Sequence, residues 1–384
     1  GQDFMNILII TPGINKRFND NYHAYSSIAD NNNVLAISNK DSLAKGGGLR
    51  KDPEVEVDGS LVIHRIFDSM REQQSFFRRL PYKQKVKNLV SEFRPDVIFC
   101  EEISNLKFAL EIKRELGVPI VLRTEFAFNA DSPYRSMGRI LKLFKNPLTG
   151  DRLASLVGGL IWRWAYASTD AVISCYHGDA SKQPEVNNTP FFYVPWPTYH
   201  PNIEGEAKRV KDRAVFIGAF VPHKNLSELL VTIPELLKKT PLKEFCFVGT
   251  GRDLDVIEQL KASYPESIRH IQSLSRKECL KLIRDSFFSY SPATWGGWGF
   301  IGDSWAMRTP VVVTHNHYGF CDDVDSVVTV PKEIVNRVKS LYENEPEFER
   351  VREGGHKRFL ENHTAEAVGS RFLEICTLAI RSFP

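Results

Sequence analysis

Residues 286–314 read SFFSYSPATWGGWGFIGDSWAMRTPVVVT. An apolar, β-prone run is followed by a turn in which Gly296, Gly297 and Gly299 alternate with tryptophans. A helical stretch comes next, and then a second β-prone run, TPVVVT. Strand, helix and strand in that order argue for a parallel sheet in an α/β domain. The glycines permit positive φ or the close approach of a ligand to the backbone. Trp295 and Trp298 are either walls of a pocket or core, whereas Trp305, within the helical stretch, reads as core.

The same alternation extends in both directions. Upstream, the strand candidates NILIIT, NVLAIS, LVIHRI, DVIFCE, PIVLRT and AVISCY fill the first half, with ISNLKFALEIKREL as a helix stopped by Gly117. In the second half RAVFIGAF, EFCFVGTG and IRHIQSL precede the opening stretch, with LSELLVTIPELLKK and KECLKLIRD as helices. A chain of 384 residues is too long for one core. The proline-rich YVPWPTYHPNIEGEAKRVKDR places a boundary near residue 200. The expected organisation is therefore an N-terminal domain over 5–198, a C-terminal domain over 199–365 and a closing helix over 366–384 that packs back on the first domain. Residues 1–4 precede Met5 and read as an expression scar.

Ligands of open parallel sheets bind beyond the carboxyl ends of the strands. That rule selects Gly13 and Asn15, Glu101 and Glu102, Glu125, and Tyr176 with His177 in the first half. In the second half it selects Gly218 to Lys224, Gly249 to Arg252, and the Trp-Gly turn. No GxGxxG follows the first strand, so the nicotinamide-binding fingerprint is absent.

The order of signals in the second half resembles the GT-B glycosyltransferases related to the retaining family 4 enzymes. VFIGAFVPHKNLSELL (215–230), FCFVGTGRDLDVIEQL (245–260) and the opening stretch are similar to that family's three donor-domain segments. DAVISC and YVPWP resemble the end of its first domain. The resemblance implies a GT-B fold, with two Rossmann-like domains facing each other across a cleft. It also implies a nucleotide-sugar in the second domain and a glycan or lipid-linked acceptor in the first. Counting back from Pro310 puts Asp303 at the second acid of the E-x7-E motif, which in the family binds the ribose hydroxyls. The first acid falls on Trp295 or Gly296, so that carboxylate is missing. The turn arginine is Ala219 here, while the lysine remains as Lys224. Arg252 or Arg308 is the candidate replacement cation.

The residues support an anionic ligand independently. A glycine turn leading into a helix offers free amides and the positive end of the helix dipole. The expected donor-binding set is Gly13, Gly218, Lys224, Gly249, Arg252, Trp295, Gly296, Gly297, Trp298, Gly299, Phe300 and Asp303. Lys224, Glu125 and Glu102 are the expected catalytic residues, with Glu125 ranked first as a base, Glu102 behind it and His23 as a further candidate. Retaining transfer in this family needs no metal and no cofactor beyond the nucleotide-sugar. The two Asp-x-Asp strings, at Asp253–Asp255 and Asp323–Asp325, are read as dipole and surface acids.

Composition narrows the remaining classes. A net charge of +3 and pI near 8.4 are too mild for a nucleic-acid partner. Six cysteines without a CxxC pair read as buried free thiols. Without a signal peptide or a spanning segment the expectation is a cytoplasmic protein. Two basic stretches with interleaved apolar residues, 71–87 and 134–152, have the composition of helices lying on an anionic membrane at its inner face. A solvated helix packed on its own sheet explains each equally well.

Overall fold

The computed structural model describes residues 4–16, 20–43, 49–124, 163–175, 189–201 and 203–383. Glu125, Tyr176, His177 and the basic stretch 134–152 lie outside them. The chain forms two compact units, Gly1–Pro197 with Ala365–Pro384, and Thr198–Thr364.

The first unit is built on an eight-stranded sheet. In chain order it contains β1 (Asn6–Ile10), α1 (Asp20–Ala29), β2 (Asn33–Asn39), a small hairpin β3 (Asp41–Leu43) and β4 (Leu49–Lys51), β5 (Val55–Asp58) and β6 (Leu61–Phe67). After these come α2 (Met70–Gln74), α3 (Phe76–Arg79), α4 (Lys83–Phe93), β7 (Val97–Glu101), α5 (Ile103–Leu116), β8 (Ile120–Thr124), β9 (Ala171–Ser174) and β10 (Phe191–Tyr193). The strand order is β10-β9-β8-β7-β1-β2-β6-β5, parallel except for the antiparallel β5–β6 edge. Every residue of β7 and β8 is buried, because helices cover both faces of a parallel sheet.

The second unit runs β11 (Val210–Ile217), α6 (Leu229–Lys239), β12 (Glu244–Val248), α7 (Leu254–Ser263), β13 (Ile268–Ile271), α8 (Arg276–Arg284), β14 (Ser286–Ser291), α9 (Trp298–Ala306), β15 (Val311–Val313), β16 (Val327–Val328), α10 (Ile334–Glu343) and α11 (Glu345–Asn362). Its sheet is β13-β12-β11-β14-β15-β16, all parallel. Strand order reverses direction between β11 and β14 here, and between β1 and β7 in the first unit. Those reversals are the topological switch points where open α/β sheets leave a crevice.

The closing helix α12 (Ala365–Ser382) belongs to the first unit. It crosses α1 at Gly369, where a Cβ would stand 2.5 Å from Ser27 Oγ and 2.8 Å from the Ala24 carbonyl. Phe372 packs its ring 4.9 Å from that of Phe99, beneath the sheet. Among the described residues no helix is long and apolar enough to cross a membrane.

The basic stretch 71–87 does not form one surface helix. Ser69 accepts the Glu72 amide to start α2, Ser75 separates α2 from α3, and Pro81 sits in a 3-10 turn over Leu80–Tyr82 before α4 begins. Proline removes a donor and clashes with the preceding turn, so the helix restarts after it. All six cysteines are free; five are buried, and Cys321 is exposed.

Candidate functional site

The switch point of the second unit brings three loops together: those after β11, β12 and β14. The first two are joined backbone to backbone. Gly218 N donates to Val248 O at 3.0 Å and Phe220 N to Thr250 O at 3.0 Å. A Cβ on Gly249 would lie 1.9 Å from Gly218 O, and one on Gly251 would lie 2.3 Å from Phe220 O. The space that Gly249 leaves open is thus filled by the chain's own backbone, which corrects its expected role as a ligand-facing glycine. Arg252, next in this loop, is exposed.

After β14 the chain turns through Gly296 (φ 67°) and Gly297 (φ 87°), left-handed conformations that side chains rarely adopt. Gly297 caps α9 and accepts the amides of Phe300 and Ile301. Gly299 has open space where its Cβ would be. Beyond it the helix is buried. Trp298 stacks on His363 with ring centres 3.9 Å apart and meets Trp305 edge to face at 5.3 Å. Phe300 packs 5.5 Å from Phe216 in the main core of the unit. Trp298 and Phe300 are therefore core residues, contrary to their place in the expected binding set. Trp295 is half-buried, with its ring 5.0 Å from that of His223.

Lys224 ends the 3-10 turn Pro222–Lys224, and its ammonium lies against this glycine turn. A Cβ on Gly297 would be 3.0 Å from Lys224 Nζ and one on Gly296 3.5 Å away. No described carboxylate offsets the charge. Burial alone moves the pKa, from the usual lysine range down to about 8. His317 Nε2 sits 2.9 Å from the Gly296 carbonyl, and burial followed by the nearby Lys224 charge keeps its pKa low despite favourable backbone contacts. The Trp-Gly turn is thus held between Lys224, His223 and His317, with Thr294 N bonding the His223 carbonyl at 3.1 Å.

A carboxylate that sequence reasoning missed anchors these loops. Glu228 accepts hydrogen bonds from Tyr290 Oη at 2.9 Å, from His315 Nε2 and Asn225 Nδ2 at 3.0 Å each, and from Thr314. It ties the start of α6 to the ends of β14 and β15. The pattern Asn225-x-x-Glu228 at a helix start is the signal that could have exposed it.

Asp303 is almost fully buried, and both its oxygens are occupied. Arg276 engages it bidentately, Nη2 at 2.6 Å from Oδ1 and Nη1 on Oδ2, and His200 Nε2 donates to Oδ1 at 2.8 Å. The family resemblance implies that Asp303 accepts from ribose hydroxyls, whereas the structure gives it two internal partners. Arg276 and His200 carry no motif that marks them. Arg308 stands at the end of α9, leading into the amino end of β15, and pairs with Glu353 at 3.6 Å. A helix that starts at the carboxyl edge of a parallel sheet ends at the opposite edge, so Arg308 cannot replace the missing turn arginine. The aspartates of the second Asp-x-Asp string pair with Arg337 (Asp323, 2.6 Å) and Arg358 (Asp325, 2.7 Å). Among the described residues no group of three or more His, Cys, Asp or Glu could hold a metal ion.

In the first unit, the switch-point loops carry Gly13 and Glu102. Gly13 has open space around its missing Cβ. The neighbouring Glu101 is buried and bonded by Arg123 at 2.9 Å, Asn21 at 3.0 Å and Tyr25, so it is structural. Glu102 is half-buried at the start of α5 with φ 67°, a conformation uncommon for a residue with a side chain.

Two units of parallel α/β structure, each with one switch point in its strand order, make up the GT-B fold. Residues 203–358, which lie within the second unit, match the model of the family described as Glycosyl transferases group 1. The uncharacterized glycosyltransferase YqgM of Bacillus subtilis is 23% identical over 193 residues, which is 47% of this chain and 54% of that protein. The match therefore spans about half of that relative's length. Among solved structures, sucrose-phosphate synthase from Thermosynechococcus elongatus has the same fold, with a TM-score of 0.67 at 11% identity over 98% of this chain and 99% of the other. Anabaena HepE in complex with UDP and glucose aligns with a TM-score of 0.61 at 12% identity, over 97% of this chain and all of the other. An Escherichia coli trehalose-6-phosphate structure bound with UDP-2-fluoro glucose aligns with a TM-score of 0.65 at 12% identity, over 96% and 98% of the two chains.

Proposed function

We propose that this protein transfers a sugar from a nucleotide-sugar donor to a glycan or lipid-linked acceptor, with retention, in polysaccharide or glycoconjugate biosynthesis. One observation carries the reading. Lys224 holds a desolvated ammonium without a carboxylate partner against the glycine turn that opens α9. A half-buried cation without a carboxylate partner is a ready site for an anion. A donor diphosphate placed there would meet Lys224, the turn amides and the helix dipole together.

In the reaction this reading describes, negative charge grows on the departing diphosphate. Lys224 stabilises that charge more strongly in a desolvated loop than in water. The leaving diphosphate takes the acceptor proton on the face from which it departs, so no protein nucleophile is needed. Glu102, with its unusual backbone at the first unit's switch point, is the described candidate for orienting the acceptor. Several solved relatives of the fold were captured with UDP or UDP-sugars, which makes UDP the first donor base to test.

The test is thermal-shift and calorimetric titration with UDP-, GDP-, ADP- and CMP-sugars, since a ligand that binds only the native state raises the melting temperature. No shift with any of them rejects the donor site. A second reading rests on Asp303, whose occupied oxygens, with the carboxylate missing at 295 or 296, describe an altered nucleotide-sugar protein. That protein would be an epimerase, a hydrolase or a non-catalytic binder. Donor consumption without acceptor identifies the first two, and binding without turnover the third.

A further inference from the structure

The segment α2–α4 exposes large apolar side chains in a way that the fold does not use. Phe77 is 78% exposed, Phe76 51%, Leu80 50% and Met70 46%. Phe76 and Phe77 pack edge to face with ring centres 5.5 Å apart, so they form one protrusion. Phe76 and Leu80 also line a cavity of about 250 Å³ between this segment and α5, walled by Phe67, Val86, Phe108 and Ile112. Lys83, Lys87 and Arg114 line the same cavity, with the acids Glu111 and Glu115. Of these acids, Glu111 is taken by Arg79 at 2.5 Å. Residues 70–93 carry six basic residues and two acids; Arg79 is buried on Glu111 and Lys85 pairs with Glu54, while Arg71, Arg78, Lys83 and Lys87 are exposed.

We infer that this surface docks on an anionic phospholipid bilayer, with Phe76, Phe77 and Leu80 entering the acyl boundary. Lys83, Lys87 and Arg78 would reach the lipid phosphates. Apolar groups and cations on one patch discriminate among occupants. A second copy of the chain would set two cationic rims against each other in a two-fold interface. A purely apolar protein partner would leave the lysines without counter-charge. A bilayer rich in anionic lipid meets both requirements, because long cationic side chains extend to the headgroups while neighbouring rings lie deeper. The cavity beneath Phe76 and Leu80 is apolar enough to receive the end of one acyl chain. This inference does not rest on sugar transfer, and no nucleotide-sugar enters its test.

The full chain is sedimented with vesicles of phosphatidylcholine alone, or of phosphatidylcholine and phosphatidylglycerol at roughly three to one, at low and high salt. Binding is expected to the anionic vesicles at low salt, weaker by on the order of tenfold on neutral vesicles and at high salt. Phe77→Ser, and separately Lys83→Gln with Lys87→Gln, should each lower partitioning about tenfold. Both changes fall on exposed positions, and unchanged melting temperatures confirm that the variants fold. Val231→Ser removes another well-exposed apolar side chain, from the second unit, and should leave partitioning unaltered. Absence of binding to anionic vesicles overturns the inference, as does wild-type binding by Phe77→Ser. A dimer that Phe77→Ser dissociates, in a protein that ignores vesicles, assigns the patch to a second copy and overturns it too.

Discussion

Lys224 Nζ lies so close to Gly297 that a single added methyl group there would stand 3.0 Å from it. The glycine turn and the ammonium are therefore one structural unit: the turn exists in left-handed conformation, and the lysine occupies the space that conformation leaves.

Gly297→Ala should disturb both members. Alanine at φ 87° costs about 1–2 kcal/mol of stability, and the Cβ displaces the ammonium. Urea denaturation should show the stability loss, and calorimetry should show weaker binding of the nucleoside diphosphate. An intact affinity would separate Lys224 from the ligand site.

Lys224→Met should act oppositely on stability and on binding. Removing a half-buried charge that has no carboxylate partner leaves the fold as stable or more so at neutral pH. Diphosphate affinity should fall by roughly 2–4 kcal/mol, the scale of one preorganised contact to developing charge. The pH dependence follows from the depressed pKa of about 8. Between that value and the ordinary lysine value the unfolded chain holds the proton more tightly, so stability rises with pH across this window. In Lys224→Met that rise is absent. Diphosphate affinity runs the other way and weakens as pH climbs through about 8, because the ammonium is lost.

Asp303→Ala should destabilise the second unit by about 1–3 kcal/mol, because it removes the carboxylate that His200 and the part-exposed Arg276 share. If Asp303 were an open ribose acceptor, the variant would lose nucleotide affinity at little cost in stability. Comparing Asp303→Ala, Arg276→Leu and the double variant by denaturation measures their coupling, and additive losses would contradict the pairing.

The tryptophans of the turn should separate cleanly. Trp298→Ala removes a fully packed ring and should cost about 3–5 kcal/mol. Trp295→Ala, at a half-buried rim position, should cost about 1 kcal/mol or less while changing donor affinity. Equal losses in chemical denaturation would refute the assignment.

Gly249→Ala forces a Cβ into a neighbouring carbonyl, with a 1.9 Å approach that only backbone movement can relieve. A loss of about 3 kcal/mol is expected. A native-like melting temperature would show that the loops after β11 and β12 are not locked together.

The order of strands and helices was legible because each parallel strand is buried on both faces and reads as an apolar run, as in β7 and β14. The strand-to-helix glycine turn was legible for a local reason, since Gly296 and Gly297 meet a backbone requirement of their own. Lys224 stood out by its place at a helix start after β11. What these residues touch was not legible. Asp303 finds Arg276 at a separation of 27 residues and His200 at 103, and Glu228 gathers donors from the far ends of two other strands. Those meetings depend on the strand order β13-β12-β11-β14-β15-β16, which no periodicity encodes. The division of three similar tryptophans into one rim residue and two core residues depends on which face of α9 packs inward. Sequence alone determined where the chain can turn and which segments must be buried, since both follow from local backbone freedom and apolarity. Only the tertiary structure decided which buried polar groups pair and which cation is left without a partner, because desolvation and charge compensation are set by neighbours distant in the chain.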